Sequence, residues 1–445
     1  MIARISACFL LGVLTVAAQQ APLKNEVQGV FPDAKALYVD LHEHPELSSH
    51  EERTATLLAG KLRALGYEVT EHVGGTGIVA ILKNGPGPTV MLRTELDALP
   101  VLEQTGLPFA SKVVSKDEAG HDVPVMHACG HDLHMSALFG TAEIMSTSKN
   151  TWHGTLMLVG QPAEETISGA KKMLADGLFT HFPKPDVAVA LHDTNENPAG
   201  EVGYVPGIFN TSADSIKVTL YGRGGHGSRP DVTIDPVLMA ASIVVRLQSI
   251  VAREIKPGNV AVVTVGYIHA GMKNNIIPDD AEMGLTLRSR DPKIRARLVA
   301  AVERIVKAEA EASGAEKMPL IEHPEETAAV YNDPVLAEHL RPVLEAALGK
   351  ENVVKNEATM GSEDFAAYVN AGVTSFYFQI GASDPEKLAA AKAEGKLPPG
   401  PHSSKFAPVL DPSLNAGITA EVAVLRSLLQ GTPADIAKFT EHKGQ

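Results

Sequence analysis

Positive charge is in short supply: 39 lysines and arginines stand against 53 aspartates and glutamates, a formal net charge of -14. A nucleic-acid binder needs a basic footprint that displaces counterions, and this balance argues against one. Cysteine is scarcer still, with Cys8 and Cys129 the only two in 445 residues. Long apolar runs are almost missing. Ile5 to Val16 is nearly unbroken, but it falls short of the roughly 20 residues that a membrane-spanning helix needs. With Arg4 before it and Val16-Ala17-Ala18 at its end, it reads as a secretory signal peptide over residues 1–18, cut after Ala18. Loss of Cys8 would leave Cys129 alone and exclude an internal disulfide. The chain also has no G-x-S-x-G, which removes the usual support for a serine nucleophile. His42-Glu43-His44-Pro45 approaches H-E-x-x-H but carries a proline, which excludes the zincin arrangement. No internal repeat is present.

What remains has the composition of a globular protein, 44% hydrophobic and 21% charged, in a length that suggests two or three domains. Ser48 to Glu51 has the S-x-x-E spacing of a capping box, followed by Leu57, Leu58, Leu62 and Leu65 at helical spacing. Strand-like runs at Gly77–Leu82, Thr89–Arg93, Thr155–Val159 and Val187–Leu191 alternate with helical stretches at Leu133–Met145 and Ser168–Asp176. That alternation predicts an α/β domain with a mainly parallel sheet. Near Asn210 the pattern changes to β-α-β-β-α-β, a split-βαβ, ferredoxin-like unit. The α/β pattern resumes with the helix Pro334–Leu348 and the run Gly372–Ile380. The organisation expected is a catalytic domain over residues 24–209 and 326–445, interrupted by an inserted domain over 210–325. The Ala/Lys/Pro-rich stretch 385–401 reads as an exposed loop.

The densest chemistry lies at His127-Ala128-Cys129-Gly130-His131-Asp132-Leu133-His134. A thiolate and an imidazole two residues apart reach one ion only from a bent backbone, which Gly130 would provide. Asp132 could hold a ligand imidazole from behind. Pro162-Ala163-Glu164-Glu165 follows a strand, at the end where α/β folds bind ligands. Adjacent carboxylates point in different directions, so one can ligate while the other handles protons. His192 ends another strand, and His402 follows the polar stretch. Cys129, His131, Glu165, His192 and His402 together exceed the four donors of a tetrahedral zinc and suit two ions sharing a bridge. A cysteine-protease reading of Cys129 is the weaker alternative, given so many donors around the thiol.

Further segments complete a pattern: Leu41-His42-Glu43-His44-Pro45-Glu46-Leu47-Ser48, Asp97-Ala98-Leu99-Pro100, Gly224-Gly225-His226, Asn275-Ile276-Ile277-Pro278-Asp279 and Ser362-Glu363-Asp364-Phe365. In this order, and spanning about residues 35–430, the chain resembles the dinuclear metallohydrolases that include hippurate hydrolases, aminoacylases and indole-acetyl-amino-acid hydrolases, relatives of the glutamate carboxypeptidases. The resemblance implies that the five donors bind two divalent ions (zinc, manganese or cobalt), with the Cys129 sulfur bridging. It implies Glu164 as general base, His226 as a transition-state donor from the inserted domain, Asn275 and Arg290 as grips on a substrate carboxylate, and Asp97 behind the ligands. Two departures stand out. Glu95 replaces the usual aspartate of R-x-D-x-D-A-L-P, and Met272-Lys273-Asn274 replaces a run of small residues. The activity implied is hydrolysis of the amide of an N-acyl or N-aroyl amino acid by metal-activated water, in an exported enzyme, periplasmic or secreted, that forms a homodimer through the inserted domain. Small molecules are the expected partners, with no nucleic acid and no membrane anchor after signal cleavage. A dipeptidase or carboxypeptidase with the same metal site, and an inactive binding homologue, are the alternatives.

Overall fold

A computed structural model describes residues 5–117 and 119–440, without the side chains of residues 5–22, 433, 434 and 440. The expected signal segment, residues 1–18, therefore lies outside the residues whose side chains are described. The described chain divides into two compact units, one formed by its residues up to 207, 331–357 and those from 367 onward, and the other by residues 208–330 and 358–366.

The first unit is built on an eight-stranded sheet. Its elements are α1 (Ile5–Glu43), α2 (Glu52–Ala64), β1 (Glu68–Thr70), β2 (Ile78–Asn84), β3 (Thr89–Glu95), α3 (His131–Thr147), β4 (Gly154–Gln161), β5 (Val187–Pro198) and β6 (Val202–Tyr204). The strand order is β1-β2-β4-β3-β5, continued by Thr374–Ser383, β6 and Val353–Lys355. The centre is parallel: β3 pairs β4 and β5 in parallel, and β5 pairs Thr374–Ser383 in parallel. Antiparallel pairs flank it, β1 with β2, β2 with β4, and β6 with Thr374–Ser383. The sheet is thus mixed and mostly parallel. Its central strands are buried on both faces, as helices on both sides require. The helix α1 was not anticipated as a helix of the mature chain. Val27, Val30, Ala34, Leu37, Tyr38 and Leu41 nevertheless recur along one face of it and join the main core.

Two local expectations fail. The helix α2 has Glu51 at its N-cap position with no side-chain cap bond. Its first amides, of Arg53 and Thr54, instead donate to the Glu46 carboxylate at 3.1 and 2.8 Å. Ser48 and Glu51 turn elsewhere. The stretch expected as a loop at 385–401 contains the helix Pro385–Ala393. Asp384 accepts from the amides of Glu386 and Lys387, Pro385 sits at the first helical position, and alanine and lysine favour the helical turns beyond it.

The second unit carries β7 (Ser212–Tyr221), α4 (Pro236–Ser249), β8 (Ala261–Ala270), β9 (Asp280–Ser289), α5 (Pro292–Ala312) and β10 (Leu320–Thr327). The strand order is β8-β9-β7-β10, all antiparallel. Asp235 and Asp291 cap the two helices, each followed by proline. Met239, Ala240, Ile243 and Leu247 of α4 share a core with Leu298, Val302 and Ile305 of α5 and with the alternate residues of β7 and β9. By length and composition Pro236–Glu254 could cross a membrane. Its apolar face lies on this core. The segment 358–366 also belongs to the second unit. Thr359 donates its amide to Phe209, Thr211 donates its amide to Gly361, and Thr327 Oγ1 donates to Glu363 O.

In the core of the first unit, the helix Leu410–Gln430 buries the Glu421 carboxyl, which accepts from Thr141 Oγ1 at 2.7 Å. Burial carries its pKa to about 8 from an ordinary 4.5. The folded state therefore favours the protonated acid. Its stabilising effect is complete below about pH 4.5 and is lost as pH rises through about 8. Glu421→Gln cannot ionise and still offers Thr141 an acceptor. The variant should gain Tm over the parent between pH 5 and pH 9, by a few degrees at the alkaline end, as read by thermal unfolding at both values. A gap that does not widen with pH would remove Glu421 as the cause.

Candidate metal and catalytic site

Four segments of the first unit bring the expected donors together. Gly130, the residue before α3, has φ +76°, and a Cβ there would come within 2.1 Å of Asp193 Oδ2. Only glycine fits that bend, which turns Cys129 and His131 toward one point. Beyond the end of β4, Glu164 and Glu165 follow Ala163, whose φ is +50°. His192 lies within β5, and His402, at φ +70°, is held by its amide donating to Ala128 O at 2.7 Å.

The resulting distances suit cations. Ligand atoms of Cys129, His131 and His192 lie within 4.8 Å of one another, and so do those of Cys129, Glu165 and His402, and of His131, Glu164 and Glu165. Cys129 Sγ is 3.4 Å from His192 Nε2, and His402 Nε2 is 3.2 Å from Glu165 Oε2. His131 Nε2 is 4.0 Å from both Glu164 Oε2 and Glu165 Oε1. His131 Nε2 and Glu165 Oε1 are buried and make no hydrogen bond, a cost that a metal ion would remove. The tautomers agree with ligation. His131 Nδ1 donates to Asp97 O at 2.8 Å and His192 Nδ1 to Asp193 O at 2.7 Å, so Nε2 is the nitrogen each imidazole leaves for an ion, which would displace the proton there.

Charge points the same way. Burial, then the carboxylates of Glu165, Glu164 and Asp193, push the Cys129 thiol well above its usual range. Burial alone would lower His131 and His192, but nearby carboxylates, led by Asp97 and Asp193 respectively, carry both up to about 9. A buried thiol among carboxylates favours a thiolate only when a cation joins it. The residues present fit divalent metal.

Behind the donors, Asp97 Oδ2 accepts from Ser48 Oγ at 2.6 Å and from the Glu165 amide at 3.0 Å. Asp132 supports no candidate ligand imidazole directly. Its Oδ2 lies 2.6 Å from His42 Nδ1, and its Oδ1 accepts from the Leu133 amide. Glu95, the departure from aspartate, reaches His134 Nδ1 at 2.9 Å and pairs with Arg93, and His134 Nε2 accepts from the Asp193 amide at 3.0 Å. This buried chain ends on the residue whose carbonyl orients His192. Glu95, His134 and Asp193 also offer donor atoms within 4.8 Å of those of His131 or His192.

The second unit presents the other expected residues. His226 is exposed, and its Nδ1 accepts from the Ser228 amide at 3.1 Å, which leaves Nε2 as a donor. His226 pairs with Ile276 and Gly227 donates to Asn275 O, so the two turns run side by side. Arg290 Nη2 donates to Ala358 O and, at 3.4 Å, to Thr359 O.

With this geometry in place, likeness to known proteins is informative. Residues 91–395 match the family described as peptidase family M20/M25/M40. The chain is 35% identical over 389 residues to thermostable carboxypeptidase 1 of Saccharolobus solfataricus, covering 86% of this chain and 92% of that one. It is also 35% identical over 361 residues to hippurate hydrolase of Campylobacter jejuni, covering 81% and 90%. A solved Bacillus subtilis structure, described as a dinuclear metal-binding peptidase, superposes with a TM-score of 0.71 at 28% identity, covering 91% of this chain and all of that one. The chain belongs to peptidase family M20/M25/M40 and is a metallo-amidohydrolase.

Proposed function

We propose that the protein is exported and hydrolyses the amide bond of N-acyl and N-aroyl amino acids, using two divalent ions held by Cys129, His131, Glu165, His192 and His402. The observation that carries this reading is the membership of Cys129 Sγ in two donor groups, beside a second carboxylate, Glu164, suited to proton work. Zinc, manganese and cobalt all accept such a mixed set. The ions supply Lewis acidity toward water and the scissile carbonyl. Glu164 takes a proton from the attacking water and returns it to the leaving amine. His226 Nε2, with its proton directed outward by the Ser228 contact, stabilises the oxyanion from the inserted domain of a partner subunit in a homodimer. Asn275 and Arg290 grip the substrate carboxylate. For Arg290 this requires giving up its bonds to the 358–359 carbonyls.

The relative named hippurate hydrolase supports an aroyl amino acid, and the relative named a carboxypeptidase supports a peptide cleaved at its C-terminal residue. The two readings share a free α-carboxylate and differ in the acyl side. The deciding experiment takes protein from the producing cells, with a mature N-terminus at Gln19 expected, and assays hippurate, N-acetyl amino acids, N-blocked dipeptides and free dipeptides with each metal. Acyl and aroyl amino acids should give the highest kcat/KM. A preference for free dipeptides would replace this reading with a dipeptidase, and an intact Met1 would remove export.

A further inference from the structure

The segment between α1 and α2 carries two side chains that turn away from the helix they were expected to cap. Ser48 and Glu51 have capping-box spacing, yet neither caps α2. Ser48 Oγ donates to Asp97 Oδ2, and that same oxygen receives the amide of Glu165 at 3.0 Å. Glu51 is fully buried, and its carboxylate accepts from the Ala163 amide at 2.9 Å, from the Ser49 amide at 2.7 Å and from Thr76 Oγ1. The amides on either side of Glu164 are therefore both held by carboxylates. One is Glu51 directly, and the other is Asp97, itself held by Ser48.

Ala163 needs such a hold. Its φ of +50° is a conformation that residues other than glycine rarely adopt, and Ile167 in the same turn has φ +54°. The Ala163 carbonyl accepts from Ser168 and Gly169, and Ile167 donates to Glu164 O at 2.7 Å, which closes the turn on itself. These bonds keep the turn's shape. The Glu51 contact fixes where its entry sits, and hence where Glu164 projects.

We propose that Glu51 is a positioning residue for Glu164: its carboxylate holds Ala163 in the left-handed region and so places the catalytic carboxylate toward His131. The proposal rests on the role given to Glu164 above. Three variants test it, namely Glu51→Ala, Glu51→Gln and the double variant Glu51→Ala with Ala163→Gly. Each is measured for kcat, KM, bound metal and hydrogen exchange of the 162–169 peptide. Glu51→Ala should lower kcat by about 100-fold, the order expected for a misplaced catalytic group. KM and metal content should stay near the parent, and exchange in the turn should speed up. Ala163→Gly should recover at least about tenfold of that loss, because glycine adopts the conformation unaided. Glu51→Gln keeps an acceptor and should fall in between, and it decides the matter should the alanine variant not fold. Parental kcat in Glu51→Gln and Glu51→Ala, or a loss that glycine at 163 does not lift, would overturn the proposal. Unchanged exchange would overturn it independently of any substrate. Faster exchange in a protein that hydrolyses no amide would instead count against the reading of Glu164.

Discussion

Glutamine at position 164 lowers kcat by about 10²–10⁴-fold, the range that a lost general base produces, while metal content stays at the parental level. Glutamine keeps the shape and the acceptor oxygen of Glu164, so the turn held at Ala163 and Glu165 is not disturbed. What disappears is the capacity to accept a proton. Glu164 is only 6% exposed and lies 4.0 Å from His131 Nε2, a place where bulk water does not readily substitute. The effect should fall on kcat more than on KM, because proton transfer is made in the transition state. Steady-state kinetics with metal analysis on one preparation checks it, and near-parental turnover would take the base role from Glu164. The same variant probes the proposed dimer. Mixed with His226→Ala protein it should regain part of the activity, since a heterodimer unites one intact Glu164 with one intact His226. Subunit exchange with no regained activity would confine His226 to its own chain or to no role.

Metal removal should abolish activity altogether, and Cys129→Ala should hold at most one ion per chain against the two expected of the parent. Cys129 is a donor in two groups, one with His131 and His192 and one with Glu165 and His402, so its loss strips a ligand from each. Chelation should also lower Tm. A ligand at 100 times its dissociation constant contributes about 2.7 kcal/mol to the folded state. Elemental analysis and thermal unfolding before and after chelation provide the test. Full activity in metal-free protein would end the metallohydrolase mechanism for this chain, and two ions bound by Cys129→Ala would remove the shared sulfur.

Much of this was legible before the structure. The β-α-β-β-α-β order of the second unit followed from the change of pattern near Asn210. The donor cluster around Cys129 was legible because its members crowd into one short segment, with a glycine where the backbone must bend. Ser48 and Glu51 misled, since a local capping signature does not register that buried partners far along the chain compete for the same side chains. The chain from Arg93 through Glu95 and His134 to Asp193 joins residues that mean nothing together until β3, α3 and β5 are adjacent. The backbone acceptors of Arg290 at 358 and 359 arrive from a segment remote in sequence, which no local pattern around Arg290 announces.

That remote segment limits how the second unit could have been acquired or could be removed. A cassette spliced in at one point would leave nothing behind when cut at its two ends. Here residues 358–366 belong with residues 208–330 although the rest of their surroundings in sequence belong to the other unit. Excision at 208 and 330 would strand Thr359, Gly361 and Glu363 without the partners they have in Phe209, Thr211 and Thr327. A transplant of 208–330 alone would lack the same stitches. Recombination between relatives is thus constrained to exchange both segments together, and a chimera that swaps only the longer one inherits a mismatched seam.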